Sequence, residues 1–186
     1  MEISSLTCAK TGGSLQVIAE VGTFIGRSTL ALSEGAGESL EEMHTCDYSF
    51  SEFGVPPEFE ASFVHSTKIV YHAKTASTQM FRSMLPMHKG AVDCFFLDGR
   101  LGNEDLSLIQ ELRAPEAVFI IDDFEGVEKG VANALMLRQA FNDLVLIRPE
   151  VRGILSGAPH VSNTALMFSA RTINLSRQQE MPLDMC

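Results

Sequence analysis

Residues 15–28, LQVIAEVGTFIGRS, combine an apolar run, an acidic residue and two glycines. The run Leu15–Val21 predicts a buried β-strand, and Arg27–Glu34 predicts a helix. In the turn between them, Gly22 lets the backbone bend tightly and lets a ligand approach closely. The helix that begins near Gly26 points unpaired N–H groups towards such a ligand. The segment therefore predicts either a ligand-binding turn or an ordinary tight connection between a strand and a helix.

Strand-like and helix-like patterns alternate along the rest of the chain. The further predicted strands are Glu42–Cys46, Lys68–His72, Val92–Leu97, Ala117–Ile121, Leu144–Ile147 and Ala165–Phe168, and the further predicted helices are Ser77–Leu85 (ended by Pro86), Glu104–Leu112 and Val127–Phe141. Strand–helix steps that end in two consecutive strands predict a doubly wound α/β sheet in a single domain, residues 1–186. Residues 1–14 are expected to form an N-terminal extension, and residues 175–186 a frayed tail.

The composition excludes several classes of protein. The net charge is −10 with no cluster of Lys and Arg, so binding to nucleic acid is not expected. No apolar run reaches the length of a membrane span, and the N-terminus lacks a signal-peptide pattern. The four cysteines, Cys8, Cys46, Cys94 and Cys186, form neither a CxxC pair nor a metal-binding spacing. These features predict a globular cytoplasmic protein that does not bind membranes.

The glycine turn and the end of the second strand indicate which kind of nucleotide site is present. A dinucleotide fingerprint requires Gly-x-Gly-x-x-Gly, and Phe24 replaces its middle glycine, which disfavours a nicotinamide-dependent dehydrogenase. Asp47 follows the second strand about 20 residues after the turn, where a carboxylate accepts both hydroxyls of a ribose. A turn or helix-cap role is the alternative for this aspartate.

Carboxylates also follow the two most apolar strands. Asp98 comes directly after Val92–Leu97, and Asp122 and Asp123 come directly after Ala117–Ile121. Neighbouring parallel strands lie about 5 Å apart, so these three side chains are expected to converge. Their negative charges repel one another unless a cation joins them, and oxygen ligands suit Mg²⁺ or Ca²⁺. The sequence therefore predicts a metal site, with a capped loop and a simple turn as the alternative.

Together these motifs resemble a known family. The chain resembles the small class I methyltransferases that use S-adenosylmethionine (SAM). The resemblance rests on the spacing Glu-x-Gly-x-x-x-Gly at residues 20–26, on VDCFFLDG at 92–99 and on VFIIDDF at 118–124. The resemblance covers about residues 17–141 and is greatest to macrocin-type sugar O-methyltransferases, which are related to catechol O-methyltransferase. It implies a Rossmann-like, mostly parallel sheet of seven strands whose last strand is antiparallel.

The resemblance also implies an activity and roles for individual residues. The activity is transfer of a methyl group from SAM to a hydroxyl of a small molecule. The implied cofactor-binding residues are Glu20, Gly22 and Gly26 with Ser28 around the methionine part, Asp47 at the ribose, Thr75 or Ala76 at the adenine, and Asp98. The implied metal ligands are Asp98, Asp122 and Asp123.

The activation of the acceptor follows from these roles. Mg²⁺ would hold two adjacent hydroxyls of a diol, phenol or sugar and lower the pKa of one of them. Glu125 and His160 are the candidates for the residue that accepts its proton. His160 and Arg152 lie in the long turn from Pro149 to Asn163, which reaches the substrate edge if the sixth strand is parallel to the core strands; a solvated loop is the alternative.

Two alternatives to the metal-dependent enzyme remain at the level of sequence. One is a metal-independent O- or N-methyltransferase, and the other is a noncatalytic SAM-binding protein. The five histidines, His44, His65, His72, His88 and His160, show no spacing typical of metal ligands. Only about 15 residues precede the first strand, so no helical roof is expected over the substrate, and the apolar surface left open predicts a homo-oligomer.

Overall fold

The computed structural model of the protein describes residues 15–48, 66–124, 127–148, 150–152, 159–161 and 163–170. The strands of its main sheet are β1 (Val17–Val21), β2 (Glu42–Asp47), β3 (Ile69–Ala73), β4 (Val92–Leu97), β5 (Arg113–Ile121), β6 (Leu144–Ile147) and β9 (Ala165–Ser169). The helices are α1 (Arg27–Ala36), α2 (Ser77–His88), α3 (Asn103–Leu112) and α4 (Gly130–Ala140), and short 3₁₀ turns cover Gly37–Ser39 and Ser66–Lys68. Strands β7 (Glu150–Arg152) and β8 (Pro159–Val161) form a separate hairpin.

The seven strands have the order β3-β2-β1-β4-β5-β9-β6. Strands β1 to β5 pair in parallel, while β9 is antiparallel to both of its neighbours, β5 and β6. The chain crosses outward from β1 to β3 and then returns to continue on the other side from β4. This reversal places the carboxyl ends of β1 and β4 next to each other, which is where ligands bind in open α/β sheets. The predicted seven-stranded, doubly wound fold with an antiparallel last strand is confirmed.

Alternate residues of the central strands face opposite sides of the sheet. In β1, Val17, Ala19 and Val21 pack in one core cluster with side chains of α2, α3 and α4, whereas Ile18 packs in a second cluster with Leu32 of α1. Every residue of β1 and β4 is buried. Covering both faces of a parallel sheet with helices explains why these strands are apolar apart from Glu20 and Asp93, two buried carboxylates that accept hydrogen bonds.

Three predictions about local structure need correction. Helix α2 continues through Pro86 and ends at His88. Proline removes one backbone donor, but the helix ends soon afterwards, and Met84 and Leu85 hold this last turn against the core. The segment predicted as a plain turn from Pro149 to Asn163 contains the β7–β8 hairpin, in which Val151 pairs with His160. Strand β5 also begins earlier than predicted, at Arg113.

Several sequence predictions concern parts of the chain outside the described residues. The N-terminal extension (1–14), the tail (175–186), His65 and Glu125 belong to these parts. Within the described residues, Cys46 and Cys94 are buried and are not in disulfides. No helix among the described residues has both the length and the apolar character needed to cross a membrane.

Candidate functional site

The carboxyl ends of β1, β2 and β4 surround a cavity of about 630 Å³. Its size lies within the range of roughly 300–1,000 Å³ that is usual for small-molecule sites. The lining includes Gly22, Asp47, Thr75, Ala76, Asp98, Asp123 and Lys129. A smaller cavity of about 310 Å³ shares Gly22, Phe24 and Asp98 with it and also contains Ser28 and Asp122. The structure thus brings most of the predicted site residues together at one edge of the sheet.

Gly22 allows the ends of two strands to approach closely. Its φ of 102° is a backbone conformation that other residues rarely adopt. A Cβ on Gly22 would lie 3.0 Å from the backbone carbon of Asp98, which leaves no room for a side chain. Backbone hydrogen bonds from Gly22 N to Cys46 O and from Asp98 N to Val21 O join the turn to β2 and β4. The first motif and the first metal candidate are therefore in direct backbone contact.

Glu20 lies behind this turn and does not line the cavity. Its side chain is fully buried, and its two oxygens accept hydrogen bonds from Ser28, Thr29 and Thr45 at 2.5 to 2.6 Å. Burial raises the pKa of Glu20 to about 7, although the three hydroxyl groups act in the opposite direction. The carboxyl group thus fastens the first turn of α1 to β1 and β2. Gly26, with φ of 78°, is the N-cap residue of the same helix.

Asp47 lies at the end of β2 and borders the larger cavity. Its Oδ2 accepts a hydrogen bond from the backbone N–H of Phe24 at 2.7 Å, which ties β2 to the glycine turn. The Phe24 side chain is 56% exposed and the Tyr48 side chain 68% exposed, and both line the cavity. Thr75 and Ala76 complete this side, with Thr75 N donating to Asp47 O. The cavity lining therefore combines an acidic group at the end of β2 with two exposed aromatic rings.

Three carboxylates converge after β4 and β5, with Asp98 and Asp123 lining the larger cavity and Asp98 and Asp122 lining the smaller one. Oxygen atoms of Asp98, Asp122 and Asp123 all lie within 4.8 Å of one another, as predicted from their positions after β4 and β5. Asp122 also accepts a hydrogen bond from Thr164 Oγ1 at 3.0 Å. Burial raises the pKa of Asp98, and the charges of Asp122 and Asp123 add to this rise, while Lys129 opposes it. Such a group of like charges needs a positive partner.

Lys129 supplies a positive charge to this cluster, and it was not among the predicted site residues. Its ammonium group lies 2.6 Å from Asp123 Oδ2 and also donates a hydrogen bond to Asp98. Burial alone would lower the pKa of Lys129, but the two carboxylates outweigh burial and raise it. The lysine therefore stays charged near neutral pH. It immediately precedes α4, and only its short distance in sequence from Asp123 could have suggested this role.

Two further buried polar residues hold the loops of the site. Asn133 on α4 accepts the backbone N–H of Leu101 at 3.0 Å and donates to the carbonyl oxygen of Gly99 at 2.7 Å. Asp105 on α3 accepts hydrogen bonds from Ser77 and Thr78 at the start of α2. Both residues resembled ordinary helix positions in the sequence, because their partners lie in other segments of the chain.

The predicted proton acceptors have no described side chains. Glu125 lies outside the described residues, and for His160 the structure describes the backbone in β8 but not the side chain. Strand β6 runs in the same direction as β5, which is the condition under which the following segment reaches the site. At the end of that segment Asn163 O accepts the N–H of Phe124, next to the acidic cluster.

No family model and no curated protein sequence matches this chain. Solved structures do resemble it. The O-methyltransferase from Bacillus cereus, in complex with the demethylated cofactor SAH, is 15% identical with a TM-score of 0.63, and the match covers 90% of this chain and 78% of that one. The O-methyltransferase TomG from Streptomyces achromogenes, involved in tomaymycin synthesis and in complex with SAM, is 16% identical with a TM-score of 0.60. That match covers 90% of this chain and 77% of TomG.

A third similar structure has a different activity in its name. The precorrin-8w decarboxylase from Methanobacterium thermoautotrophicum is 14% identical, with a TM-score of 0.56, and the match covers 90% of this chain and 88% of that one. At these identities the likeness concerns the fold, which is the Rossmann-like fold of the class I methyltransferases. The function must be argued from the site.

Proposed function

We propose that this chain, which has the fold of the small O-methyltransferases, binds SAM in the larger cavity and transfers its methyl group to a hydroxyl of a small molecule. The observation that carries the proposal is the cavity at the carboxyl ends of β1, β2 and β4, where the Gly22 backbone, Asp47 and Asp98 meet. The SAM-bound and SAH-bound O-methyltransferases that share the fold support it.

The residues of the cavity fit the parts of SAM. Gly22 lines the larger cavity, and Asp47 can accept hydrogen bonds from two ribose hydroxyls. Thr75 and Ala76, with the exposed ring of Phe24, offer a polar edge and an apolar surface for the adenine. Glu20 and Gly26 support the SAM site indirectly, because they hold the glycine turn in place. Ser28 lines the smaller cavity next to it. The carboxylates favour a positively charged methyl donor.

The chemistry requires alignment more than a nucleophile. SAM supplies an activated methyl group on a positively charged sulfur. As the bond between the acceptor oxygen and the methyl carbon forms, the bond from carbon to sulfur breaks and the sulfur keeps the electron pair. The chain must hold the acceptor oxygen in line with that bond and remove its proton. We propose that Glu125 or His160 accepts this proton and that the methyl acceptor is a hydroxyl of a diol, a phenol or a sugar.

We further propose that Asp98, Asp122 and Asp123 bind Mg²⁺ and that the metal ion replaces the Lys129 ammonium. Three carboxylate oxygens within 4.8 Å of one another suit an oxygen-preferring cation. Mg²⁺ there would lower the pKa of an acceptor hydroxyl. Lys129 must release Asp98 and Asp123 for this to happen, and its hydrogen bonds to both resist the exchange.

These same hydrogen bonds favour a second candidate, a metal-independent methyltransferase. In this case Lys129 remains on the aspartates, and its positive charge stabilises the acceptor oxygen as the proton leaves. Turnover with a panel of catechols, phenols and sugars, with and without a chelator, separates the two candidates. Loss of turnover on chelation supports the metal, and resistant turnover supports Lys129. SAM binding without any turnover would instead support a noncatalytic SAM-binding protein.

We also propose that the protein is a cytoplasmic homo-oligomer. Strand β6 is an outer strand of the sheet, and its residues Leu146 and Ile147 are each 42% exposed. An edge strand with exposed apolar side chains readily pairs with a second chain unless something covers it.

A further inference from the structure

A second group of potential metal ligands lies away from the SAM cavity. Glu42 and His44 are on β2, His72 is on β3, and His88 is the last residue of α2. His44 Nε2 lies 3.3 Å from Glu42 Oε2 and 3.4 Å from His88 Nε2, and His88 Nε2 lies 2.6 Å from the same Glu42 oxygen. Three ligand atoms from two elements therefore face one point. None of these residues lines the proposed SAM cavity.

Without a metal, these contacts form a consistent hydrogen-bonding network. His44 and His88 each donate from Nε2 to the shared Glu42 oxygen, and His72 Nε2 then donates to His44 Nδ1 at 3.0 Å. In this arrangement, however, the two Nε2–H groups are directed at the same oxygen while their nitrogens are only 3.4 Å apart. A cation bound to all three atoms would take the place of the two Nε2 protons that converge on Glu42.

We infer that Glu42, His44 and His88 form a zinc-binding site. In a tetrahedral zinc site with Zn–N distances of about 2.0–2.1 Å, neighbouring ligand atoms are about 3.3–3.4 Å apart. Two of the three separations here, 3.3 and 3.4 Å, already have this length. Only the hydrogen bond of 2.6 Å between His88 and Glu42 must open, by less than 1 Å. Two imidazoles and one carboxylate are a usual ligand set for Zn²⁺.

His72 completes the site as a positioning residue. When His44 Nε2 binds zinc, its Nδ1 carries the proton and donates it to His72 Nε2, across the same contact of 3.0 Å. Histidine ligands of zinc usually donate their second N–H to such a partner, which fixes the orientation of the ring.

Three protein ligands would leave the fourth position of a tetrahedral zinc ion to a water molecule. The ion would also join two elements of the fold. His44 is nearly fully buried, whereas the side chains of His88 and Glu42 are 12% and 30% exposed. Solvent therefore reaches the site from the side of Glu42 and His88. Zinc bound there would fasten the end of α2, just beyond Pro86, to β2. The inference does not depend on the proposed methyltransferase activity.

Zinc binding to the whole purified chain tests the inference directly. A chromophoric chelator that competes for Zn²⁺ should report one tight zinc equivalent for the wild type. His88→Gln keeps a side-chain donor for Glu42 but removes a metal ligand, and it should weaken binding more than about 100-fold. His72→Gln should weaken binding by about 10–100-fold, as expected for a partner of a ligand. Asp122→Asn, in the other acidic cluster, should leave zinc affinity unchanged.

Two further measurements keep the test decisive. Circular dichroism of each variant without metal shows whether it has folded, and Zn²⁺ should raise the melting temperature of the wild type but not of His88→Gln. The Co²⁺-substituted wild type should show the visible bands of nitrogen and oxygen ligation without a thiolate charge-transfer band. Equal zinc affinity in the wild type and in a folded His88→Gln variant would overturn the inference, as would a thiolate band or loss of zinc only in Asp122→Asn.

Discussion

The Lys129 ammonium lies 2.6 Å from Asp123 Oδ2 and hydrogen-bonds to Asp98 at the same time. The acidic cluster after β4 and β5 therefore already has a positive partner. Any divalent ion that binds there must compete with a lysine that is held next to the site by its position just before α4. The charge on Lys129 thus links the stability of this edge of the sheet to its affinity for metal.

Replacing Lys129 by Met should separate these two effects. Without metal, the three carboxylates lose their cation, and the free energy of unfolding should fall by about 1–2 kcal/mol, a value reduced for partial exposure. The affinity for Mn²⁺, used as a probe for Mg²⁺, should rise because no ammonium competes. Urea unfolding and the electron paramagnetic resonance signal of free Mn²⁺ measure the two quantities.

Arg82→Met provides a matched control, because Arg82 forms an exposed ion pair with Glu104 outside the cavity. It should leave Mn²⁺ affinity unchanged. If Lys129→Met binds Mn²⁺ no better than the wild type and also loses methyl transfer, the lysine itself serves as the cation and the metal proposal is wrong.

The buried carboxyl of Glu20 should make stability depend on pH. Its pKa is about 7 in the folded protein against 4.5 as the reference value, so folding favours the protonated form. The contribution of Glu20 is fully present below pH 4.5 and is lost as the pH rises through 7. At ~1.4 kcal/mol per pKa unit, the loss is on the order of 3 kcal/mol.

Glu20→Gln should remove this dependence. Relative to the wild type, its free energy of unfolding should increase as the pH is raised from 4.5 to 8, which chemical denaturation at several pH values would show. Glu111→Gln, on the surface, controls for the loss of one negative charge. A difference between wild type and Glu20→Gln that stays constant with pH would contradict the assignment.

Gly22→Ala should impair both the fold and the binding of SAM. Alanine at this φ costs about 1–2 kcal/mol, and its Cβ would also press on the backbone of Asp98. Gly90→Ala is the matched control, because Gly90 also has a positive φ but has nothing within 4 Å of an added Cβ. Both variants should lose stability, and only Gly22→Ala should lose SAM affinity in calorimetry. Equal SAM affinity in the two variants would show that the ligand does not approach the turn.

Features of the structure that depend on neighbouring residues in the sequence were predicted, and features that depend on contacts between distant segments were largely missed. Strand β4 was predicted with its observed bounds, because six consecutive buried residues leave a local pattern. The convergence of Asp98 with Asp122 and Asp123 was also predictable, since parallel strands place their carboxyl ends at one edge. The end of α2 was not, because the core contacts of Met84 and Leu85 outweigh the local effect of Pro86.

Residues that act through distant partners gave no local signal. The five histidines showed no ligand spacing, yet the pairing of β2 with β3 and the end of α2 bring His44, His72 and His88 together. Their separations in sequence match no local motif. Lys129 follows Glu128, a pattern typical of a solvated surface, and only the fold turns it towards Asp98 and Asp123.

The outer strand β6 supports a prediction about assembly. Light scattering at micromolar concentration should show at least twice the chain mass of 20.3 kDa. Leu146→Lys should shift the protein to the single-chain mass, because a buried lysine opposes the pairing of two edge strands. A wild-type species of 20.3 kDa would contradict the proposed oligomer.

Calorimetric titration of the wild type and Asp47→Ala with SAM tests the central proposal most directly. The wild type should bind SAM and SAH and bind NAD(H) much more weakly. Asp47→Ala removes charge-assisted hydrogen bonds worth about 1.5–3 kcal/mol each, so SAM affinity should fall about 100-fold or more. Asp47→Asn retains an acceptor for the Phe24 N–H and separates this loss from loosening of the turn. Failure of the folded wild type to bind SAM, or unchanged affinity in Asp47→Ala, would contradict the account.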